Sequence, residues 1–323
     1  MSVRLAALLG MGAVLGGCHV TEPKAEPRAY AAPPEVRFRP IEGAEAFVAP
    51  SVRLRAAYVL AAEGTAHFVA GLSDLIVQRQ AAGLRLEAIS DYGNFAAFDL
   101  TPDTGAPLEM GPLTDAAGQA FGNNKTLSDA EDMAYEAQSG TYYVSFEGHH
   151  RVMRYARGLE GAGEVLPLSG LPNFPANQGL EALTVQGQSL ILGAESGGFW
   201  RCDLEAYVCG QLKGPTTPGM GYALVSLAPL EGATDLLALY RYFTPWTGPR
   251  TVLRRLGVDD RHLWLKATIL TVRPPLPYDN YEGVAAVKSD DGYELYLLSD
   301  PIGDDKPTRL LVFDWTPEAA VGH

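Results

Sequence analysis

Apolar positions along the chain fall in short runs bounded by polar and glycine-containing turns, and helical spacing is scarce. Five segments share one pattern: a short apolar strand, a turn, a second strand, a polar loop and a third strand. They are "LSDLIVQRQAAGLRLEAISDYGNFAAFDL", "AEDMAYEAQSGTYYVSFEGHHRVMRY", "LEALTVQGQSLILGAESGGFWRCDL", "LVSLAPLEGATDLLALYRYFTPWTGPRTVLRRL" and "YEGVAAVKSDDGYELYLLSDPIGDDKPTRLLVFDW". Fourth strands are expected in "GEVLPLSG" and "LWLKATIL". With Ser73, Glu131, Glu181, Val225 and Glu282 as equivalent positions, the units are spaced by 58, 50, 44 and 57 residues. Small antiparallel sheets repeated at that spacing predict an all-β chain folded as a β-propeller. Five blades are expected, or six if the connection from 101 to 130 holds another. The strand "VRLRAAYVL" (52–60) is expected to become the outer strand of the last blade and close the ring. A β-sandwich would leave the repeat unexplained.

The repeat also places charge. Three of the five first strands open on an acid, Glu131, Glu181 or Glu282, directly before an apolar run where an uncompensated charge is costly. The second strands end at Asp91, Glu147, Glu195, Arg241 and Asp300, offset from the first positions by 18, 16, 14, 16 and 18 residues. In an antiparallel hairpin the start of one strand lies beside the end of the next, so both sets are expected around one mouth of the central channel. Asp74 and Asp132 are expected to add to the same acidic mouth. Carboxylates about 6 Å apart repel by roughly 0.7 kcal/mol in water and about 3 kcal/mol at an effective dielectric of 20. Such a ring calls for protons, basic partners or a cation, unless it is simply a solvated rim capping strand-end amides.

An oxygen-only set with no Cys or His cluster favours Ca2+, with Mg2+ as the alternative. Glu181, Glu195, Glu282, Asp300 and Asp91 are the expected metal ligands, and Glu131 and Glu147 the carboxylates expected to act in catalysis. Arg241 breaks the acidic series and is expected to serve as counter-charge or to hold an anionic substrate group. His149, beside Glu147, is a candidate general acid or base, and Asn280 and Arg250 are candidate ligand contacts.

The N-terminus reads as an address. Arg4 precedes "LAALLGMGAVLGG", too short to span a bilayer but suited to a signal peptide, and "LGGC" resembles a lipobox ending at Cys18. The expected organisation is a signal peptide at 1–17, a lipidated Cys18 opening a Pro-rich tether at 18–50, a propeller at 51–316 and a tail at 317–323. The chain would then be held at the bacterial cell envelope by lipid alone, facing the periplasm or the exterior. Cys202 and Cys209, in "FWRCDLEAYVCG", are expected to form a disulfide in that compartment. A net charge of −13 argues against a nucleic-acid partner, and the chain is expected to act as a monomer.

Several pieces in order resemble the phytase-like propeller family described as "esterase-like activity of phytase": "AISDYGNFAAFDL", "EDMAYEAQSGTYYVSFEGHHRVMRY", "NQGLEALTV", "RYFTPWTGPRTVLRRL" and "NYEGVAAV" with "LYLLSDP" and "TRLLVFDW". The resemblance runs from about residue 50 to 315. It implies functional positions at Asp91, Glu131, Glu147, Glu181, Glu195, Arg241, Asn280, Glu282 and Asp300. The chain departs from its relatives at "DPIGDD", where they tend to carry a polar turn after the last strand-end aspartate. The implied function is Ca2+-dependent hydrolysis of a phosphate or related small-molecule ester. No G-x-S-x-G elbow offers a serine route. A non-catalytic, Ca2+-stabilised binding propeller and a lactonase-type hydrolase are the competing readings, since fold does not decide among them.

Overall fold

The computed structural model describes residues 37–317 apart from 45, 62–68, 82, 101–106, 123, 176–177, 245, 247, 278 and 302–305. The expected signal peptide, Cys18, the first part of the tether and nearly all of the tail lie outside them, as does most of the "DPIGDD" loop.

Five sheets follow one another along the chain. The first blade is β4 (Leu72–Gln80), β5 (Gly83–Ser90), β6 (Asn94–Asp99) and β7 (Pro107–Pro112), and the second is β8 (Ala130–Glu136), β9 (Thr141–Phe146), β10 (Arg151–Tyr155) and β11 (Glu164–Val165). The third holds β12 (Leu180–Gln186), β13 (Ser189–Ala194), β14 (Phe199–Asp203) and β15 (Cys209–Leu212). The fourth holds β16 (Tyr222–Pro229), β17 (Leu236–Thr244), β18 (Gly248–Val258) and β19 (Leu263–Val272). The fifth is built on β20 (Tyr281–Ser289), β21 (Gly292–Ser299) and β22 (Arg309–Trp315), and β3 (Val52–Ala61) completes it by pairing antiparallel with β22. The expected closure by an N-terminal strand is thus present. The connection from 101 to 130 supplies β7 and a helical turn, Lys125–Ser128, rather than a sixth blade.

One boundary differs from expectation. β1 (Arg37–Pro40) and β2 (Ala46–Ala49) both pair antiparallel with β3, so the described part of the expected tether belongs to the fifth sheet. The reason is that β3 is the outer strand there, and its free edge offers amides that an extended segment can satisfy.

The core lies between the blades. Five apolar clusters fill the five junctions, and alternate residues of one strand serve two neighbours. Leu295 and Leu297 of β21 face the fourth blade, while Tyr296 and Leu298 face the first. Burial on both faces explains why the second strands read as continuous apolar runs. Cys202 and Cys209 sit opposite each other on β14 and β15 and form the expected disulfide.

Candidate metal centre at the channel mouth

Each inner strand is irregular at the same place. Pairing shifts between Leu72 and Asp74, Ala130 and Met133, Leu180 and Ala182, Leu224 and Ser226, and Tyr281 and Gly283. The displaced positions include Ser73, Glu131, Glu181, Val225 and Glu282, the five equivalents of the repeat. A bulge sets two residues against one and re-aims a side chain, which lets an acid head an otherwise apolar strand.

The second-strand ends are tied beside these bulges by one repeated bond. Asp91 N donates to Gly71 O at 2.9 Å, Glu147 N to Asp129 O at 2.8 Å, Glu195 N to Gly179 O at 3.3 Å and Asp300 N to Asn280 O at 2.9 Å. In the fourth blade Arg241 pairs with Ala223 at the equivalent place. The approach is close enough to require glycine twice. Gly71 has φ +59°, and a Cβ there would overlap the Asp91 carboxylate, while one on Gly179 would meet the His150 ring and Glu147.

Asp91, Asp129, Glu131, Glu147, Glu181, Glu195, Glu282 and Asp300 therefore share one rim with two cations, Lys125 and Arg241. Lys125 Nζ lies 2.5 Å from Asp91 and 2.6 Å from Asp129. Arg241 Nη1 lies 2.9 Å from Glu282 Oε1, and Asn280 bridges them, accepting from Arg241 at 3.4 Å and donating to Glu282 at 2.8 Å. Among the described residues no ion pair reaches Glu131, Glu147, Glu181, Glu195 or Asp300.

The protonation of these groups reflects that shortage. Burial, then the charges of Glu181, Asp129, Glu282 and Glu147, hold Glu131 well above the usual carboxylate range. Burial and then Glu147, close enough to share a proton, do the same for Glu181. Asp300 is pushed up to about 8 by burial, Glu282 and Asp91. Glu195 and Glu282 are raised by burial, with Arg241 opposing. Burial would lower the Arg241 guanidinium, but Glu282, Glu181, Glu195 and Glu131 raise it above its ordinary value.

One oxygen from each of Asp129, Glu131 and Glu147 lies within 4.8 Å of the others. Three oxygen donors at that spacing, with raised proton affinity on Glu131 and no ion-pair partner on Glu131 or Glu147 among the described residues, fit a hard divalent cation. The trio joins two residues expected in catalytic roles to one, Asp129, that the sequence reading passed over. Of the expected ligands, Glu282 pairs with Arg241 and Asp91 with Lys125, which also pairs with Asp129.

Two acids expected at the mouth lie below it. Asp74 and Asp132 are 1% and 0% exposed and turn into the channel axis. Asp132 Oδ2 accepts from Leu183 N at 2.6 Å and Leu227 N at 3.1 Å, while Met133 N donates to Asp132 Oδ1 at 2.8 Å and Asp74 Oδ2 at 3.0 Å. Leu75 N bonds Asp74, and Val284 N donates to Ser226 Oγ, which itself donates to Asp74. Leu75, Met133, Leu183, Leu227 and Val284 are equivalent, each two residues after a strand head. Their amides face the channel because an innermost strand has a neighbour on one side only. This amide collar encloses the two carboxyls, which bond each other; burial lifts Asp74 to about 6 and, with Asp74 beside it, lifts Asp132 well above the carboxylate range.

His149 is exposed on the turn after Glu147, and only its carbonyl has a partner, Arg151. The neighbouring His150 is the one that stands over Gly179, with Nε2 2.9 Å from Pro175 O. Arg250 is exposed on β18 opposite Tyr242. Among the described residues neither His149 nor Arg250 forms an ion pair with an acid of the rim. Asp129 had a signal, since it stands two residues before Glu131 just as Asn280 does before Glu282. Lys125 had none, because it sits on a helical turn outside the repeat.

No curated protein sequence matches the chain. Among solved structures, a glutaminyl cyclase from Myxococcus xanthus is similar with 12% identity and a TM-score of 0.42, covering 82% of this chain and 97% of that one. The hydrazine synthase of Kuenenia stuttgartiensis shares 9% identity with a TM-score of 0.39 over 71% of this chain, which spans only 56% of that one. The model of the phytase-like family, "Esterase-like activity of phytase", matches residues 67–301. This stretch holds all five rim positions of the repeat, and the chain belongs to that family.

Proposed function

We propose that this protein is an envelope-anchored, metal-dependent hydrolase of phosphate or related esters, with its active site at the acidic mouth of the propeller. The observation that carries the reading is the cluster of Asp129, Glu131 and Glu147 inside a rim of eight carboxylates matched by two cations. Structural acids are normally paired or bonded to amides; Glu131 has no ion pair among the described residues and keeps a raised proton affinity that a divalent cation would relieve.

Asp129, Glu131 and Glu147 would hold Ca2+, or Mg2+, and the bound ion would polarise an ester oxygen and lower the pKa of water. Arg241, kept in place by Glu282 and Asn280, would orient anionic oxygens of the substrate. Glu181 and Glu195 border the cluster from the third blade; a cation's charge would favour their ionised forms, which can take a proton from water. Asp300, pushed up to about 8, is protonated at neutral pH and can give its proton to a leaving alkoxide. Small substrates suit a mouth this tightly built, and a lipid on Cys18 would be the membrane contact of a monomeric protein.

Hydrolysis of a chromogenic phosphate ester by the full-length protein, with calcium or with chelator, tests the reading. A calcium-dependent rate that falls at least a hundredfold in Glu131→Gln and Glu181→Gln is expected, on the scale of lost acid–base groups (about 10²–10⁴-fold). Full activity in both variants overturns it.

A further inference from the structure

Below the amide collar the channel opens into a chamber of about 150 Å³, walled by Leu75, Val77, Met133, Tyr135, Leu227 and Val284. It lies toward the far ends of the inner strands, away from the acid rim, and the Asp74–Asp132 pair separates the two spaces.

The chamber walls are mainly apolar, and two buried side-chain donors on them lack partners. Past the bulges the ladders run in regular register, so the alternation that aims the collar amides at the axis also aims those of Val77, Tyr135, Val185 and Ala286. The fourth blade has Pro229 at that level, which carries no N–H. Two side chains on the chamber wall add to the set: Thr184, 0% exposed, whose Oγ1 has no partner, and Gln78, whose Nε2 has none. Buried donors without acceptors are costly.

We propose that this chamber is a second ligand site, taking a small neutral molecule with an apolar body and one carbonyl acceptor, such as a ketone, amide or ester. Size agrees, since an apolar cavity of about 150 Å³ accommodates a benzene-sized molecule. The carbonyl oxygen meets the Thr184 hydroxyl and the amide ring, and the body meets Leu75, Met133, Leu227 and Val284. Charge selects the neutral form. A carboxylate at the next amide level would lie about 7 Å from the Asp74–Asp132 pair, which disfavours it roughly fiftyfold at an effective dielectric of 20. Val77, Gln78 and Ala286 also line a wider vestibule at that end, bordered by Arg79 and Lys288, which gives the chamber its entrance. The site does not depend on the chemistry proposed for the acid rim.

Cyclohexanone titrated into the methionine-methyl-labelled full-length protein, followed by NMR, tests the assignment. Saturable shifts of the Met133 methyl are expected, with cyclohexanecarboxylate at least tenfold weaker. Thr184→Val should weaken cyclohexanone roughly three- to tenfold, the scale of one hydrogen bond, leave cyclohexane unchanged and leave ester hydrolysis at the other mouth intact. Thr184→Ser should retain cyclohexanone binding, which separates loss of the hydroxyl from loss of the fold. No saturable Met133 shift in the wild type, meaning a chamber that holds water only, overturns the proposal. So does a carboxylate that binds as tightly as the ketone.

Discussion

The channel carries two sets of buried carboxylates, one position apart in the strand repeat, and they are treated in opposite ways. Asp132 follows Glu131 directly, yet its oxygens accept from three backbone amides, Met133, Leu183 and Leu227. Glu131 and Glu181 face other carboxylates, and no ion pair reaches them among the described residues. Both pairs are pushed toward protonation by burial, so burial alone does not separate a structural acid from a functional one. Partners do: the collar pair closes the amide edges of five strands, and the rim leaves its charge open to a ligand.

Removing a collar acid is the harshest way to break that comparison. Asp132→Ala strands the buried amides of Leu183 and Leu227, while Met133 N keeps Asp74, at about 1–3 kcal/mol for each unmet group. A loss of roughly 3–5 kcal/mol in urea unfolding is expected, whereas Glu181→Gln should leave stability equal or higher in chelator. The disulfide comes next. Replacing Cys202 and Cys209 by serine should cost about 2.5 kcal/mol in the chain-entropy model, read as a lower melting temperature with the rim's metal response unchanged.

The pH dependence sharpens the contrast further. Asp91, Glu131, Glu181, Glu195, Glu282 and Asp300 have folded-state pKa values above the unfolded ones, so the native state binds more protons and stability falls as pH rises. For Asp300 the window runs from about 4, its unfolded value, to about 8. Chelated protein should therefore lose stability across that window, by up to about 1.4 kcal/mol per pH unit for each fully shifted group. Calcium should flatten the curve. A chelated protein equally stable at pH 5 and pH 8 would contradict the shared rim. The smallest effect belongs to His149, whose side chain is exposed: His149→Ala should change stability by less than about 0.5 kcal/mol and leave turnover as it is.

Much of this arrangement is legible in the chain because the repeat carries it. Short apolar runs between turns mark the strands, the spacing marks the blades, and the paired offsets bring Glu131 with Glu147 and Glu282 with Asp300 to one mouth. The collar is not legible in the same way. Whether the acid at Asp132 faces its neighbours at the mouth or turns toward the axis depends on a bulge, and a single-residue shift reverses a strand's faces. Asp129 was within reach of the repeat, one step further out from Glu131. Lys125 was not, since a helical turn outside the blades positions it. The segment 37–49 reads as the end of a Pro-rich tether, yet the free edge of β3 recruits β1 and β2 from it.

Calcium titrated by calorimetry into chelated full-length protein, beside Glu131→Gln, tests the central claim that the rim acids await a cation. The account predicts one saturable site in the wild type and its loss in the variant. Calcium at a hundred times the dissociation constant should then stabilise the wild type by about 2.7 kcal/mol. Absence of binding heat and of any calcium-dependent stabilisation in the wild type would contradict it.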